Sequence, residues 1–427
     1  MDPILLAKAA IAIACTAVTL VALWLIHART ISHRVYSLGL LVYTILSRLA
    51  LFGAFYIVMG QSVPSDVTGY YYPQSLAAAE GDISYRDFDS SYGPLFPYIG
   101  AGLTTIWKSP VVFPIVAVLL EILLIAGFLK VWNALRELGW SEVGLRRAGI
   151  LAVGCPLSFF STAISGANQV WIGLFGAAAL FCAFHQRAAA GAFLTSLTIL
   201  AVKFLGLLFA PAIFLASRAK VTWLVVFFAV SLFGFLPFVL MGANPLSAIQ
   251  SESGDWTSGN LFYFVTLLWP GIMENLAVWD FLLVTLLMTL GISTLIVHGW
   301  HLAPKKATEF LVLTFLIVLF LGKKSYSSYV VMFILPLSLS VAERAASRLA
   351  IGALIVLGAV SLIEPSLFFR IAQKRGGYEF LQTTMETDSG MMSFCFFLLV
   401  QMVVVGCYAV LLWIIGRDFY RVKVQPS

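Results

Sequence analysis

Residues 4–26 read Ile4-Leu-Leu-Ala-Lys8-Ala-Ala-Ile-Ala-Ile-Ala-Cys15-Thr-Ala-Val-Thr-Leu-Val-Ala-Leu-Trp24-Leu-Ile26, followed at once by His27-Ala-Arg29-Thr-Ile-Ser-His33-Arg34. A helix crossing the hydrocarbon core of a bilayer needs about 20 such residues. The run is longer than the h-region of a leader peptide, and nothing basic precedes it beyond Lys8, so it reads as a retained span. The basic cluster behind it is held in the cytoplasm by the usual charge asymmetry. That sets the N-terminus outside and sends the second span, 35–59, back to the outer face.

The whole chain has the same character. Its 427 residues are 61% hydrophobic and 11% charged, with a mean hydropathy of +0.96. Soluble domains are about 45–50% apolar and about 25% charged, so water is excluded as the main solvent. A soluble enzyme, a secreted disulfide scaffold and a nucleic-acid binder are excluded with it. The net charge of +6 reads as topology rather than as affinity for an anionic partner. Cys15, Cys155, Cys182, Cys395 and Cys407 all lie in apolar runs at no metal-ligand spacing, and read as small buried hydrophobes.

Further spans fall at 111–134, 148–164, 169–184, 221–243, 278–299, 308–322, 329–342, 349–363 and 391–416, separated by short basic stretches. Residues 94–107 are short and interrupted by Pro94, Pro97, Gly100 and Gly102, as a re-entrant or thin span would be. Residues 188–216 are too long for one untilted helix and carry Lys203 at their middle. The expectation is an all-α, polytopic membrane bundle of about 11–13 crossings. It forms a single transmembrane domain over 1–427, with a cytoplasmic C-terminus, in a bacterial inner or plasma membrane. Polar outer loops are expected at 60–93, 244–260 and 364–390, with re-entrant or amphipathic helices in the first.

The first loop is the most informative. It runs Pro64-Ser-Asp66-Val-Thr-Gly-Tyr70-Tyr71-Tyr72-Pro73, then Ala77-Ala-Ala-Glu80-Gly81, then Tyr85-Arg86-Asp87-Phe-Asp89-Ser-Ser-Tyr92-Gly93-Pro94-Leu95. Asp66, Glu80, Asp82, Asp87 and Asp89 face a single base, Arg86, and the loop is rich in tyrosine. Tyrosine rings suit a membrane interface and equally the apolar face of a sugar. By composition alone this is an acidic outer loop with an aromatic belt.

The order of these residues resembles the first luminal loop of GT-C glycosyltransferases, multispanning enzymes that use polyprenyl-phosphate sugars. The likeness is to the first mannosyltransferase of glycosylphosphatidylinositol synthesis and to bacterial phosphatidylinositol-mannoside mannosyltransferases. It continues through Gly166-Ala-Asn168-Gln169, Lys203 with Pro211, Ser258-Gly259-Asn260, and Lys323-Lys324-Ser-Tyr326-Ser-Ser-Tyr329 leading to Pro336, and covers roughly residues 60–340. The chain departs from the bacterial pattern at Gly93-Pro94, where two prolines are frequent, and at Ser325 or Ser327, where a His is common. The resemblance implies inverting transfer of one sugar, mannose or another hexose, to a lipid-linked or glycan acceptor on the extracytoplasmic side, with Asp66 as general base.

The chemistry itself asks for one base to take the acceptor's proton and cations or N–H donors to meet the departing phosphate. Asp66, at the end of a span, is the better placed acid. Asp87 and Asp89 orient the acceptor, hold a divalent cation, or are solvated loop acids. Lys203 is the first phosphate candidate, or else an ion-pair partner of Glu121, since a charge at that depth is costly. Lys323 and Lys324 stand on the outer side against the charge trend, as an anion site would. Arg48 pairs with an acid or meets lipid, and Arg86 is a weaker anion contact. Asn168, Gln169, Asn260 and Tyr326 hydrogen-bond sugar or phosphate, or join helices. Tyr70, Tyr71 and Tyr92 complete the substrate-binding set. No metal-ligand set is expected, and the partners are the sugar donor, the acceptor and membrane lipids, with no nucleic acid. Two alternatives stay open: a transporter or flippase of a lipid-linked or small anionic substrate, and a glycan polymerase or ligase.

Overall fold

The computed structural model describes residues 3–28, 31–64, 66–253, 256–269, 276–343, 348–371 and 388–421, and these are helical with no strands. The first half comprises α1 (Pro3–Ala28), α2 (His33–Phe52, running on as a π turn to Val58), α3 (Tyr72–Glu80), α4 (Phe96–Ile106), α5 (Val112–Lys130), α6 (Trp132–Glu137), α7 (Glu142–Val153), α8 (Pro156–Ala163) and α9 (Gln169–Phe184). The second half comprises α10 (Ala188–Leu200), α11 (Ala210–Ala216), α12 (Lys220–Leu240), α13 (Ser247–Ser253), α14 (Leu261–Leu268), α15 (Leu276–His298), α16 (Pro304–Leu321), α17 (Ile334–Ala342), α18 (Arg348–Ile371) and α19 (Asp388–Tyr420). Short 3₁₀ segments at Phe204–Phe209 and Ser327–Phe333 lead into α11 and α17.

Seven helices among the described residues are long and apolar enough to cross a membrane, in α1, α2, α5, α12, α15, α18 and α19. An eighth crossing is added if α7 and α8, bent by 50°, are one span. This is a multi-pass helical membrane protein. The expected 11–13 crossings are not matched by helix length, because the interior is built from shorter pieces. At about 1.5 Å per residue, the 16 residues of α9 extend about 24 Å and the 13 of α10 about 20 Å, short of a bilayer core. The segment 94–107 holds only α4, with 11 residues. The span expected to end at 363 continues to Ile371, which moves Glu364 from an outer loop into α18. The rest of that loop, 372–387, and the basic turn at 344–347 lie outside the described residues.

Burial separates two classes of helix. α16 is apolar nearly all round and packed on all sides, with Leu311, Val312, Phe315 and Leu316 inaccessible, as a core helix must be. Against it lie α17, α19 and the 327–333 turn. The longer outer helices instead expose Val221, Phe233, Phe281 and Ile296, a surface suited to lipid.

One buried ion pair ties the first half together. Arg48 of α2 donates from Nε and Nη2 to the two carboxylate oxygens of Glu121 on α5, at 2.9 and 2.6 Å. Nη2 also donates to the carbonyl of Val153, at 2.8 Å. Ser158 of α8 donates to Glu121 at 2.6 Å, and the guanidinium lies 3.7 Å from the Phe159 ring centroid. Such a pair adds little over an apolar isostere, but removing one partner strands a buried charge at about 3–5 kcal/mol. Glu121→Gln is therefore expected to lower the unfolding free energy in detergent by about that amount. The double variant Arg48→Met/Glu121→Leu should recover most of the loss, and equal destabilisation of both would show that the stranded charge is not its cause.

Candidate functional site

The loop between α2 and α4 is anchored to the bundle by its own apolar residues. Val63, Val67, Tyr71, Tyr92, Phe96, Val112 and Phe113 form one buried cluster. From Asp66, which is exposed, a π turn over Val67–Tyr71 runs into α3. α3 ends on Gly81 in the left-handed region, φ 103°, and turns back so that Ser75 sits directly over Gly100 of α4, where a side chain would collide with it.

Lys203 lies where the chain between α10 and the 204–209 turn is not helical. Its own backbone is extended, with φ −159° and ψ 149°. The carbonyls freed there are taken by the loop that precedes α4: Gly93 N–H donates to Val202 O at 3.0 Å and Leu95 N–H to Leu200 O at 2.9 Å. The approach is close enough that a Cβ at Gly93 would overlap the carbonyl oxygens of Ile199 and Leu200. This contact brings Tyr92 to the lysine. The ammonium lies 5.7 Å from the Tyr92 ring centroid and 5.9 Å from that of Tyr329, within cation–π range of both.

Tyr92 in turn packs edge-on against Tyr71, with centroids 5.0 Å apart, and their hydroxyls are hydrogen-bonded. The Asn168 backbone N–H donates to the Tyr71 hydroxyl at 3.4 Å. Burial, and after it the nearby Asp66 carboxylate, push that hydroxyl well above the usual tyrosine range. On the far side Tyr329 meets Tyr326 edge-on at 5.5 Å. The structure thus brings Tyr71, Tyr92, Asn168, Lys203 and Tyr326 together through direct contacts, with Tyr329 as a further member, while the exposed Asp66 carboxylate is near enough to act on the Tyr71 hydroxyl.

At the start of α9, the Asn168 side chain is 2% exposed and that of Gln169 9% exposed. Among the described residues Asn168 Nδ2 and Gln169 Oε1 have no hydrogen-bond partner. A buried polar atom left so costs about 1–3 kcal/mol, which suits atoms kept for a ligand. They are held there by Gly166, whose left-handed backbone (φ +57°) packs against the backbone of Pro114.

The other candidates are engaged elsewhere. Arg86 and Asp87 form an exposed two-point pair, both contacts at 2.8 Å, and Arg86 also donates to Met241 O at 3.2 Å. Hydrogen bonding from Arg86 and the Ile83 N–H holds the Asp87 carboxyl below its ordinary value. Asp87 is thus held as a carboxylate within its own loop by Arg86. Among the described residues no group of three or more His, Cys, Asp or Glu side chains could hold a metal ion. Asp89 is exposed, and its carbonyl accepts from Gln74 Nε2 at 2.9 Å. Tyr70 is 55% exposed on the turn. Lys323 is paired with Asp280 at 2.7 Å rather than presented to an anion, and Lys324 beside it is half-buried. Glu121 belongs to Arg48, not to Lys203.

Asn260 is a helix cap rather than a substrate ligand. Its Oδ1 accepts from Tyr263 N–H at 2.8 Å, and its Nδ2 donates to Thr257 O at 2.8 Å and Ser325 O at 3.2 Å. The residue that organises this region is Glu364, fully buried on α18. It accepts from Ser258 Oγ, from Ser327 Oγ at 2.8 Å and from Gln401 Nε2 at 2.8 Å, while Gln401 Oε1 receives the Gly259 N–H at 2.8 Å. Glu364 and Gln401 thereby fix the segment that carries Tyr326 and Tyr329. A polar residue inside an apolar run was the available signal for both.

Comparison with protein-family models, with curated proteins and with solved structures gives no match to this chain, so the site rests on its own geometry.

Because the Gly93 contact joins loop to break, Gly93→Ala is expected to destabilise the protein by about 1–3 kcal/mol. Gly102→Ala, where a Cβ meets open space in α4, should be neutral or slightly stabilising. Denaturant unfolding of the two variants in detergent measures this, and equal stability would contradict the junction.

Proposed function

We propose that this protein is an integral membrane glycosyltransferase that moves one sugar from a polyprenyl-phosphate carrier to a hydroxyl of a lipid-linked or glycan acceptor. Its GT-C-like arrangement rests on the resemblance of the ordered motifs over residues 60–340. The observation that carries the reading is that motifs distant in sequence converge. Tyr71 and Tyr92 from one loop, Asn168 from the start of α9, and Lys203 from a helix break meet in a single group, with the Asp66 carboxylate close enough to raise the Tyr71 hydroxyl.

In the reaction, Asp66 takes the acceptor's proton as its oxygen forms a bond to the anomeric carbon. The bond from that carbon to the phosphate oxygen breaks, and its electrons leave with the phosphate, so the anomeric centre inverts. The departing dianion needs positive charge and N–H donors rather than an acid. Lys203, which lies between the two tyrosine rings, supplies the charge, and Asn168 Nδ2, unpartnered among the described residues, supplies a donor. The tyrosines offer apolar ring faces to the sugar. A single strong cation outside a nucleotide loop fits a lipid monophosphate better than a nucleotide sugar.

The reading is tested with radiolabelled monosaccharyl polyprenyl phosphate and purified protein in lipid. Asp66→Asn is expected to lower turnover by about 100-fold or more while the donor still binds, and Lys203→Met is expected to weaken donor binding. Undiminished turnover in Asp66→Asn would remove the assignment, and transfer of a preassembled glycan block would make the protein a ligase instead.

A further inference from the structure

The opposite end of α5 from this site carries a cavity of about 250 Å³ between α5 and α9. The first residues of α5, Val112 and Phe113, pack in the Tyr71 cluster. Lys130, at its last residue, is about 27 Å away at 1.5 Å per residue, so the two sites are separate. The cavity walls are apolar, with Leu123, Leu124 and Gly127 facing Leu174 and Phe181. Leu123 is 56% exposed, which leaves the cavity open at the side.

Three basic side chains, Lys130, His185 and Arg187, line the same cavity and are all exposed. Among the described residues none of the three forms an ion pair, whereas the neighbouring Arg136 and Arg146 are both matched by Glu142. α5 and α9 both end here, and their carbonyl ends together amount to about one negative charge. Lys130 and Arg187 more than balance that, so the mouth remains electropositive. A basic residue at a helix end is ordinary charge asymmetry. Unpaired bases converging on the mouth of an apolar slot are a lipid-shaped arrangement, with a place for a chain and a place for a phosphate.

We propose that the α5–α9 groove is a binding site for an anionic phospholipid, with one acyl chain against Gly127 and Leu174 and the phosphodiester between Lys130, His185 and Arg187. The site is independent of the glycosyltransferase reading. It gives the protein a resident lipid at the end of the bundle away from Asp66, bridging two helices that also frame the Tyr71 cluster.

The test reconstitutes the full chain in vesicles of phosphatidylcholine alone or mixed with phosphatidylglycerol, then counts retained lipid by native mass spectrometry. Wild-type protein is expected to retain phosphatidylglycerol in preference to phosphatidylcholine. The exposed pair Lys130→Gln/Arg187→Gln should reduce that preference by roughly thirtyfold, at about a surface charge's worth per residue removed. Gly127→Leu, where added atoms meet open space, should displace the lipid with every charge in place. Equal retention of the two lipids by the wild type would overturn the proposal. So would wild-type retention of phosphatidylglycerol by Gly127→Leu, which would show adsorption outside the groove.

Discussion

Backbone away from water must have its hydrogen bonds met from within the protein, and the break at residues 201–203 exists under that constraint. Two loop N–H groups, from Gly93 and Leu95, satisfy carbonyls that a continuous helix would have satisfied itself. The same two bonds draw Tyr92 over Lys203 and position the whole first loop. The geometry of the candidate site is thus a consequence of how a broken helix is repaired. A glycine is required at 93 because only a residue without a Cβ can reach those carbonyls.

The polar residues inside the bundle divide by whether they are satisfied. Arg48, Glu121 and Ser158 close on one another, as do Glu364, Ser258, Ser327 and Gln401. These groups hold helices that are apolar on every side and would otherwise pack with little specificity. Asn168 and Gln169 are among the described residues that are instead buried with a side-chain atom unmet, as are several serines, threonines and tyrosines. The backbone of Asn168 reaches the Tyr71 hydroxyl.

The membrane class and the long outer helices were legible in the sequence because an apolar run of sufficient length has one reading. The crossing number was not, since an apolar run of 13 or 16 residues does not say whether it spans or is buried inside the bundle. Lys203 and Pro211 marked 188–216 as irregular, and the segment is indeed broken there. What composition could not supply was partners. Arg48 finds Glu121 across 73 positions and Ser258 finds Glu364 across 106, so Arg48 remained ambiguous and Glu364 passed as loop. Asn260, Lys323 and Asp87 carried the residue types of a binding site, and their partners turned them into a cap, an ion pair and a loop clasp. Tyr329 is visible in the sequence only as the end of a motif, and its role depends on a lysine from the break after α10.

The central claim is that Asp66 and Lys203 serve one substrate from its two sides. It is tested most directly by determining the structure with a non-hydrolysable polyprenyl-phosphate sugar analogue bound. The account predicts a phosphate oxygen within hydrogen-bond distance of Lys203 Nζ, between Tyr92 and Tyr329, with the anomeric carbon turned toward Asp66. A phosphate bound away from Lys203, or a sugar whose anomeric carbon faces another acid, would contradict it.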